Sequence, residues 1–198
     1  MRYDMLYAED KEAVSVVNDY IWELCKIILI ALPFYLLIRK PWRKWSKREA
    51  TLAVFVLFMV GLLVLTVGPP YRQIYGGLGG AADRIRSGEG INLVPFRSIL
   101  GYFEHYVRGY FEVNFIGNII MFIPWGFGLV LLWKRQQRIL SIILCALGLT
   151  IIIETVQLFI GRSVDVDDII LNFTGSCLGA ALYFLLRKLF PRIGRLAQ

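Results

Sequence analysis

Two long apolar runs enclose a short polar segment in residues 139–190, which read ILSIILCALGLTIIIETVQLFIGRSVDVDDIILNFTGSCLGAALYFLLRKLF. The polar segment contains these acidic, basic and amide residues: Glu154, Gln157, Arg162, Asp165, Asp167, Asp168 and Asn172. Each run is long enough for a membrane helix, which needs about 20 residues. An ionised side chain costs roughly 2.5–3.5 kcal/mol at the centre of such a helix. The stretch therefore predicts two membrane helices whose connection carries polar side chains with a function.

Three further apolar runs lie towards the N-terminus. The five predicted spans are Tyr20–Ile38, Thr51–Val67, Phe115–Trp133, Ile139–Ile160 and Ile169–Phe190. Hydrophobic residues make up 57% of the 198 residues, whereas a soluble domain contains about 45–50%. The mean hydropathy is +0.59. We therefore predict an all-α fold, a polytopic membrane helix bundle of five transmembrane helices.

Basic residues predict the orientation of this bundle, because cytoplasmic loops of membrane proteins are rich in Lys and Arg. They cluster in residues 39–48, 134–138 and 187–195, three segments that five spans place on one side. We expect a cytoplasmic C-terminus and an extracytoplasmic N-terminus. The net charge of +7 is then a topology signal. Since no basic face or binding motif is visible, no nucleic-acid partner is expected.

The connection between the second and third spans has two predicted parts. Residues 68–90 are rich in glycine, which predicts a mobile extracytoplasmic loop. After INLVPFRS (residues 91–98), apolar residues recur at helical spacing, namely Ile99, Tyr102, Phe103, Tyr106, Val107, Tyr110 and Phe111. This spacing predicts an extracytoplasmic amphipathic interfacial helix. A helix packed over the bundle explains the pattern equally well.

Polar side chains converge on the outer ends of the last three predicted spans. Glu154 and Gln157 share one face of the fourth span, and Asp165, Asp168 and Asn172 share one face of the fifth. Such a cluster suits a cation, a lipid headgroup or a polar substrate. A carboxyl buried at Glu154 is also a candidate general acid or base. The alternative is that these groups form hydrogen bonds between helices.

Several of these residues also have structural interpretations. Asp165 is a candidate N-cap of the fifth span, with Asp168 in the matching position of a capping box. Asn118, near the start of the third span, suits a hydrogen bond between helices. Gly175 and Gly179 are four residues apart, a spacing that predicts close helix packing.

Glu154 is either protonated or paired with one of two arginines, Arg97 or Arg162. Arg97 alternatively reaches a phosphate or a carboxylate with two hydrogen bonds. The candidate binding residues are Asn92, Arg97, Asn118, Glu154, Gln157, Arg162, Asp165, Asp168 and Asn172. The catalytic residues, if the chain is an enzyme, are unknown; the candidates are Glu154, Asp165 and Asp168.

Metal and cofactor sites are not expected. His105 is the only histidine of the chain, which argues against a His-based metal site or catalytic triad. Cys25, Cys145 and Cys177 lie far apart within apolar segments and show no metal-ligand spacing.

Four motifs together resemble the VanZ-like family of bacterial membrane proteins. They are INLVPFRSI (91–99), GNIIMFIPWGF (117–127), IETVQ (153–157) and RSVDVDDIILNFTGSCLG (162–179). The resemblance implies a multi-pass protein of the bacterial plasma membrane. The founding member is associated with low-level resistance to the lipoglycopeptide teicoplanin. No catalytic residue is implied by it.

The spans, the glycine-rich stretch and the resemblance together divide the chain into four parts. They are an N-terminal tail with the first two spans (1–67), the glycine-rich loop (68–90), a VanZ-like domain (91–190) and a cytoplasmic tail (191–198).

Three functions follow from these patterns. The first is an envelope or resistance protein that binds a membrane lipid or a lipid-linked cell-wall component, with a lipoglycopeptide antibiotic as a further candidate partner. The second is a membrane enzyme that modifies a lipid-linked substrate, with Glu154, Asp165 or Asp168 as acid, base or metal ligand. The third, a lipid translocator, is disfavoured because the polar residues stop in the outer third of the bundle.

Overall fold

The computed structural model describes residues 2–40, 46–67, 77–104 and 112–196. Its helices are α1 (Arg2–Arg39), α2 (Lys47–Val67), α3 (Gly77–Ser87), α4 (Arg97–Glu104), α5 (Gly117–Leu132), α6 (Ile139–Phe159) and α7 (Val166–Leu189). A π-helical turn, Glu112–Ile116, precedes α5, and 3₁₀ turns cover Lys134–Gln137 and Pro191–Leu196. Two short strands, β1 (Ile91–Asn92) and β2 (Val164–Asp165), complete the described elements.

Four described helices are long and apolar enough to cross a membrane: α2, α5 with its preceding turn, α6 and α7. Their bounds agree with four of the predicted spans to within a few residues. The all-α membrane bundle is therefore confirmed as the fold class. The remaining predicted span, Tyr20–Ile38, lies inside the 38-residue helix α1. Its passage through a membrane stays a prediction.

Contacts at the helix ends define how the chain runs. At one end of the bundle, the Tyr35 hydroxyl donates to the Glu49 carbonyl (3.2 Å) and the Arg39 guanidinium pairs with the Glu49 carboxylate, which joins α1 to α2. At the other end, the last turn of α2 meets the last turn of α6, where Gln157 Nε2 donates to the Thr66 carbonyl (2.8 Å). We call this second end the polar end.

Helices α5 and α7 both begin at the polar end and run parallel. Gly175 and Gly179 of α7 pack against the backbone of α5, so closely that a Cβ on either would lie 2.0–2.1 Å from the carbonyl oxygen of Ile119 or Ile123. Gly126 of α5 faces the α7 backbone in the same way. The close packing predicted from the glycine spacing is confirmed.

The buried side chains lie between α2, α5, α6 and α7. One cluster joins Leu62, Phe122 and Ile153, and a second joins Val130, Ile142 and Tyr183. The outer faces of these helices remain apolar and exposed. Such faces suit contact with lipid, while the inner faces pack against one another.

The prediction of a mobile loop over residues 68–90 is wrong for its second half. Residues Gly77–Ser87 form α3, and Ala81 of this helix is buried. The physical reason is Arg84, whose guanidinium donates to the carbonyls of Leu158 (3.1 Å) and Arg162 (2.5 Å) and so fixes α3 to the end of α6. Residues 68–76 lie outside the described part.

The predicted amphipathic helix is described in its first two turns only, as α4. Residues 105–111 of the prediction, with His105, lie outside the described residues. In α4 the apolar side chains of Leu100 and Phe103 are exposed, as an interfacial position requires.

Candidate functional site

The loop that carries the INLVPFRS motif is bound to the start of α7. Strands β1 and β2 pair in parallel, with Ile91 opposite Val164 and Asn92 opposite Asp165. The N–H of Val164 also donates to the Gly90 carbonyl (2.9 Å). Two motifs separated by about 70 residues of sequence thus form one structural unit at the polar end.

Asp165 is the acceptor at the centre of this unit. Its carboxylate accepts from Asn92 Nδ2 (2.9 Å), from the Ser98 hydroxyl and from the N–H of Asp167 (2.9 Å). The last bond makes Asp165 the N-cap of α7, as predicted. Asn92 in turn accepts from the Val94 N–H (3.2 Å), which shapes the loop between β1 and α4. Asp165 therefore caps a helix and holds a loop at once.

Asp167, absent from the predicted site residues, makes the second connection. It is fully buried, and its carboxylate accepts from the N–H groups of Phe96 (2.5 Å), Ser98 (2.7 Å) and Ile99 (3.1 Å). These N–H groups start α4 and would otherwise lack partners. The sequence contains a signal: the Pro95–Phe96 pair before α4 offers no capping side chain, so an acceptor from elsewhere is needed.

Phe96 adopts a left-handed backbone with φ of 66°. A bulky residue rarely adopts this conformation, and such strain persists only where the surroundings impose it. Here the Phe96 N–H donates to Asp167, and the aromatic ring is left exposed.

Glu154 accepts the hydrogen bond that the capping-box interpretation assigns to Asp168. It is only 4% exposed, and its carboxylate accepts from the N–H of Asp165 (3.0 Å), the bond that a capping-box acid makes. The prediction for Asp168 is therefore wrong. Asp168 instead accepts from Asn118 Nδ2 of α5 (2.8 Å), so the interhelical role predicted for Asn118 is confirmed.

Glu154 forms no ion pair with either of its candidate partners, Arg162 and Arg97, among the described residues. Arg162 Nη1 donates to the Thr66 carbonyl (3.0 Å), the same acceptor that Gln157 uses. Arg162 nevertheless lies close enough to Glu154 and Asp168 to interact electrostatically with both. It therefore balances part of the acidic charge while it fastens the end of α2.

Two buried side-chain amides have an acceptor oxygen that no described residue uses. The side-chain carbonyl oxygens of Gln157 and Asn172 have no hydrogen-bond partner within the described residues. Asn172 lies one turn deeper in α7 than Asp168 and is 3% exposed. Buried polar atoms of this kind are uncommon and often mark a functional position.

A groove of about 490 Å³ opens beside the strand pair. It is lined by Ile85, Gly88, Ile91, Asn92, Leu93, Val94, Arg97, Leu158 and Val164. Arg97, an exposed residue, is the one charged side chain among these described lining residues. Leu93 and Val94 are 71% and 57% exposed. The groove thus has mainly apolar walls and one cationic lining side chain, that of Arg97.

The predicted site residues separate into three groups. Asn92 and Arg97 line the groove. A second group surrounds the start of α7 and forms hydrogen bonds to neighbouring protein groups. Its members are Glu154, Asp165, Asp168, Arg162 and Asn118. Asn172 lies one turn deeper in α7, and Gln157 lies in the last turn of α6, where it binds the end of α2. Within the described residues, no three His, Cys, Asp or Glu side chains are arranged to hold a metal ion.

These features define a polytopic helical membrane protein with a polar, structured end. Residues 52–187 match the VanZ/LLP1 family, and the chain belongs to that family. The match begins in α2, upstream of the motifs quoted above. No curated protein and no solved structure matches the chain.

Proposed function

We propose that this chain is an envelope protein of the bacterial plasma membrane that binds a membrane lipid or a lipid-linked cell-wall component at the polar end. The observation that carries the proposal is the groove, which combines apolar walls with one exposed guanidinium. An amphiphile needs this combination, because its chain seeks an apolar surface while its headgroup stays at the interface.

The proposal places the polar end at the outer leaflet, with the N-terminus extracytoplasmic and the C-terminus cytoplasmic. Basic residues support this orientation. Lys134, Arg135, Arg138, Arg187 and Lys188 all lie at the end opposite the groove, the side expected to be cytoplasmic.

The VanZ/LLP1 membership supports a role in resistance to teicoplanin. A lipoglycopeptide acts at the outer surface and carries a lipid tail, so a protein that occupies or alters lipid there can hinder its insertion. The antibiotic itself is a second candidate occupant of the groove, because its tail is also an apolar chain.

A matched pair of exposed leucines tests the proposal. Leu93→Asn changes the wall of the groove. Leu100→Asn changes a position that is also more than half exposed, 56% against 71% for Leu93, but that does not line the groove. We expect Leu93→Asn to reduce the lipid retained by the purified protein, measured by mass spectrometry, and Leu100→Asn to leave it unchanged. In cells with equal expression, Leu93→Asn should also lower the teicoplanin resistance that the wild-type chain confers. Equal lipid content in all three proteins would refute the groove as the binding site.

The second candidate function is an enzyme that modifies a lipid-linked envelope substrate. It is favoured by one observation, the close grouping of Glu154, Asp165 and Asp168, which interact electrostatically. Their hydrogen bonds weaken it, because the carboxylates of Glu154 and Asp165 already hold the backbone and the loop. An altered lipid or wall fragment, present only in cells with the chain, would favour the enzyme.

A further inference from the structure

We propose that the occupant of the groove is a phospholipid of the surrounding membrane, with an acyl chain against the groove wall and its phosphate bound by Arg97. This inference rests on the proposed function and deepens it, since it names the ligand class and the residue that recognises its headgroup.

The groove chemistry restricts the occupant to an amphiphile. Ile85, Leu93, Val94, Leu158 and Val164 supply an apolar surface from α3, the loop, α6 and β2. A free inorganic anion would gain nothing from this surface. A purely apolar molecule would gain nothing from the charge of Arg97, so a molecule with an anionic group and a long apolar chain uses both features of the groove.

Arg97 is the group at the groove that remains available to an anion. It is the first residue of α4, and the N–H groups that open this helix already donate to Asp167. In the described residues no carboxylate forms an ion pair with Arg97. A guanidinium binds phosphate through two parallel N–H bonds, which a point charge does not reproduce.

The backbone around Arg97 is fixed before a ligand arrives. The N–H groups of its two neighbours, Phe96 and Ser98, both donate to the buried carboxylate of Asp167. The Ser98 hydroxyl also donates to Asp165. Because the loop is already ordered, binding costs less conformational entropy than it would on a free loop.

The depth of the loop also matches a phospholipid headgroup. Leu93, Val94, Phe96, Leu100 and Phe103 belong to the loop and α4, outside the spanning helices, and all are more than half exposed. Apolar side chains in such an element insert at the boundary between headgroups and acyl chains. Lipid phosphates lie at this boundary, beside the guanidinium.

The test compares two lipids with identical acyl chains, phosphatidylglycerol and diacylglycerol, of which only the first has a phosphate. Binding to the purified full-length protein in detergent is measured by native mass spectrometry. The variants are Arg97→Gln, Arg97→Lys and the control Arg86→Gln, whose side chain is 82% exposed and does not line the groove. Thermal melting of each variant verifies that it folds.

We expect the wild type to prefer phosphatidylglycerol and Arg97→Gln to weaken its binding about tenfold, the effect of losing a charge-assisted hydrogen bond. Arg97→Lys should fall between the two, and Arg86→Gln should match the wild type. Diacylglycerol binding should not respond to either substitution at Arg97.

Three other outcomes each overturn a defined part. Equal binding of both lipids, unaffected by Arg97→Gln, removes phosphate recognition and leaves lipid binding standing. Competition by millimolar inorganic phosphate as effective as by phosphatidylglycerol removes the acyl chain from the groove. Binding of neither lipid refutes this inference and, together with the absence of retained lipid in the Leu93 experiment, the proposed function.

Discussion

Three carboxylates within four residues of sequence have three different partners. Asp165 caps α7 and accepts from Asn92. Asp167, about 70 residues away in sequence, caps the start of α4, and Asp168 accepts from Asn118 of α5. A charged acceptor contributes about 1.5–3 kcal/mol through a hydrogen bond. The same residue type thus fastens α7 to itself, to the loop and to another helix.

Asp167→Asn should loosen the loop and α4 without unfolding the bundle. The amide replaces one carboxylate oxygen by a donor, which faces N–H groups that need an acceptor. We expect a loss of about 1–3 kcal/mol in the stability of this segment, measured as faster hydrogen exchange at Phe96, Ser98 and Ile99. Asp168→Asn is the matched control, because it removes the same charge from the same helix turn, and the hydrogen bond described for Asp168 goes to Asn118 of α5 and not to the loop. Equal exchange in the two variants would contradict the capping role of Asp167.

Glu154→Gln distinguishes a structural carboxyl from a catalytic one. Glutamine retains a carbonyl oxygen that accepts the Asp165 N–H, so we expect near wild-type melting and lipid content. Glu154→Ala leaves that buried N–H without a partner and should cost about 1–3 kcal/mol. Thermal melting in detergent measures both. If Glu154 is instead an acid or base, Glu154→Gln still folds but abolishes an alteration of envelope lipids that the wild-type chain produces.

At the scale of elements, local sequence patterns predicted the helices. Contacts between residues far apart in sequence determined how the helices and the loop are joined at the site. The bounds of α6 and α7 follow from apolar runs, and the cap at Asp165 follows from its place before a helix. Asp167 and Arg84 were missed because their partners lie about 70 residues away. Their neighbours in sequence give no sign of which carbonyl or N–H group they meet. The fold class was thus predictable, while the geometry of the site required the tertiary structure.

Gly175→Ala should separate α5 from α7. The new Cβ would lie 2.1 Å from the Ile119 carbonyl oxygen, a backbone atom that cannot move alone, and overpacking of this kind costs about 1–3 kcal/mol. Gly148→Ala on α6 is the control, since nothing lies within 4 Å of its Cβ and alanine favours the helix by up to about 1 kcal/mol. We expect a lower melting temperature for Gly175→Ala and an equal or higher one for Gly148→Ala. A matching decrease in both would contradict the close parallel packing.

At the scale of the whole molecule, the polar end is built from every part of the family region. The last turn of α2 supplies Thr66, α3 supplies Arg84, α5 supplies Asn118, and the end of α6 and the start of α7 supply the remaining acceptors and donors. At the opposite end, the described contacts between elements include basic side chains, such as Arg39 with Glu49 and Arg187 with Gln137. The polar end is thus a structured region of the bundle, which supplies the rigid support that the proposed binding site requires.

Labelling of introduced cysteines distinguishes a bundle of five membrane spans from a bundle of four. Cysteine is placed at one position at a time, Arg2→Cys, Ser87→Cys or Arg192→Cys, in a chain whose native cysteines are replaced by alanine. A membrane-impermeant maleimide is then applied to intact cells. If α1 crosses the membrane with the other four helices, residues 2 and 87 are labelled from outside and residue 192 only after permeabilisation, because five crossings put the termini on opposite sides. If α1 lies along the membrane instead, residue 2 shares the protection of residue 192 while residue 87 remains labelled. Protection of residue 87 in intact cells would invert the bundle, and would place the groove beside the inner leaflet, out of reach of an antibiotic that acts from outside.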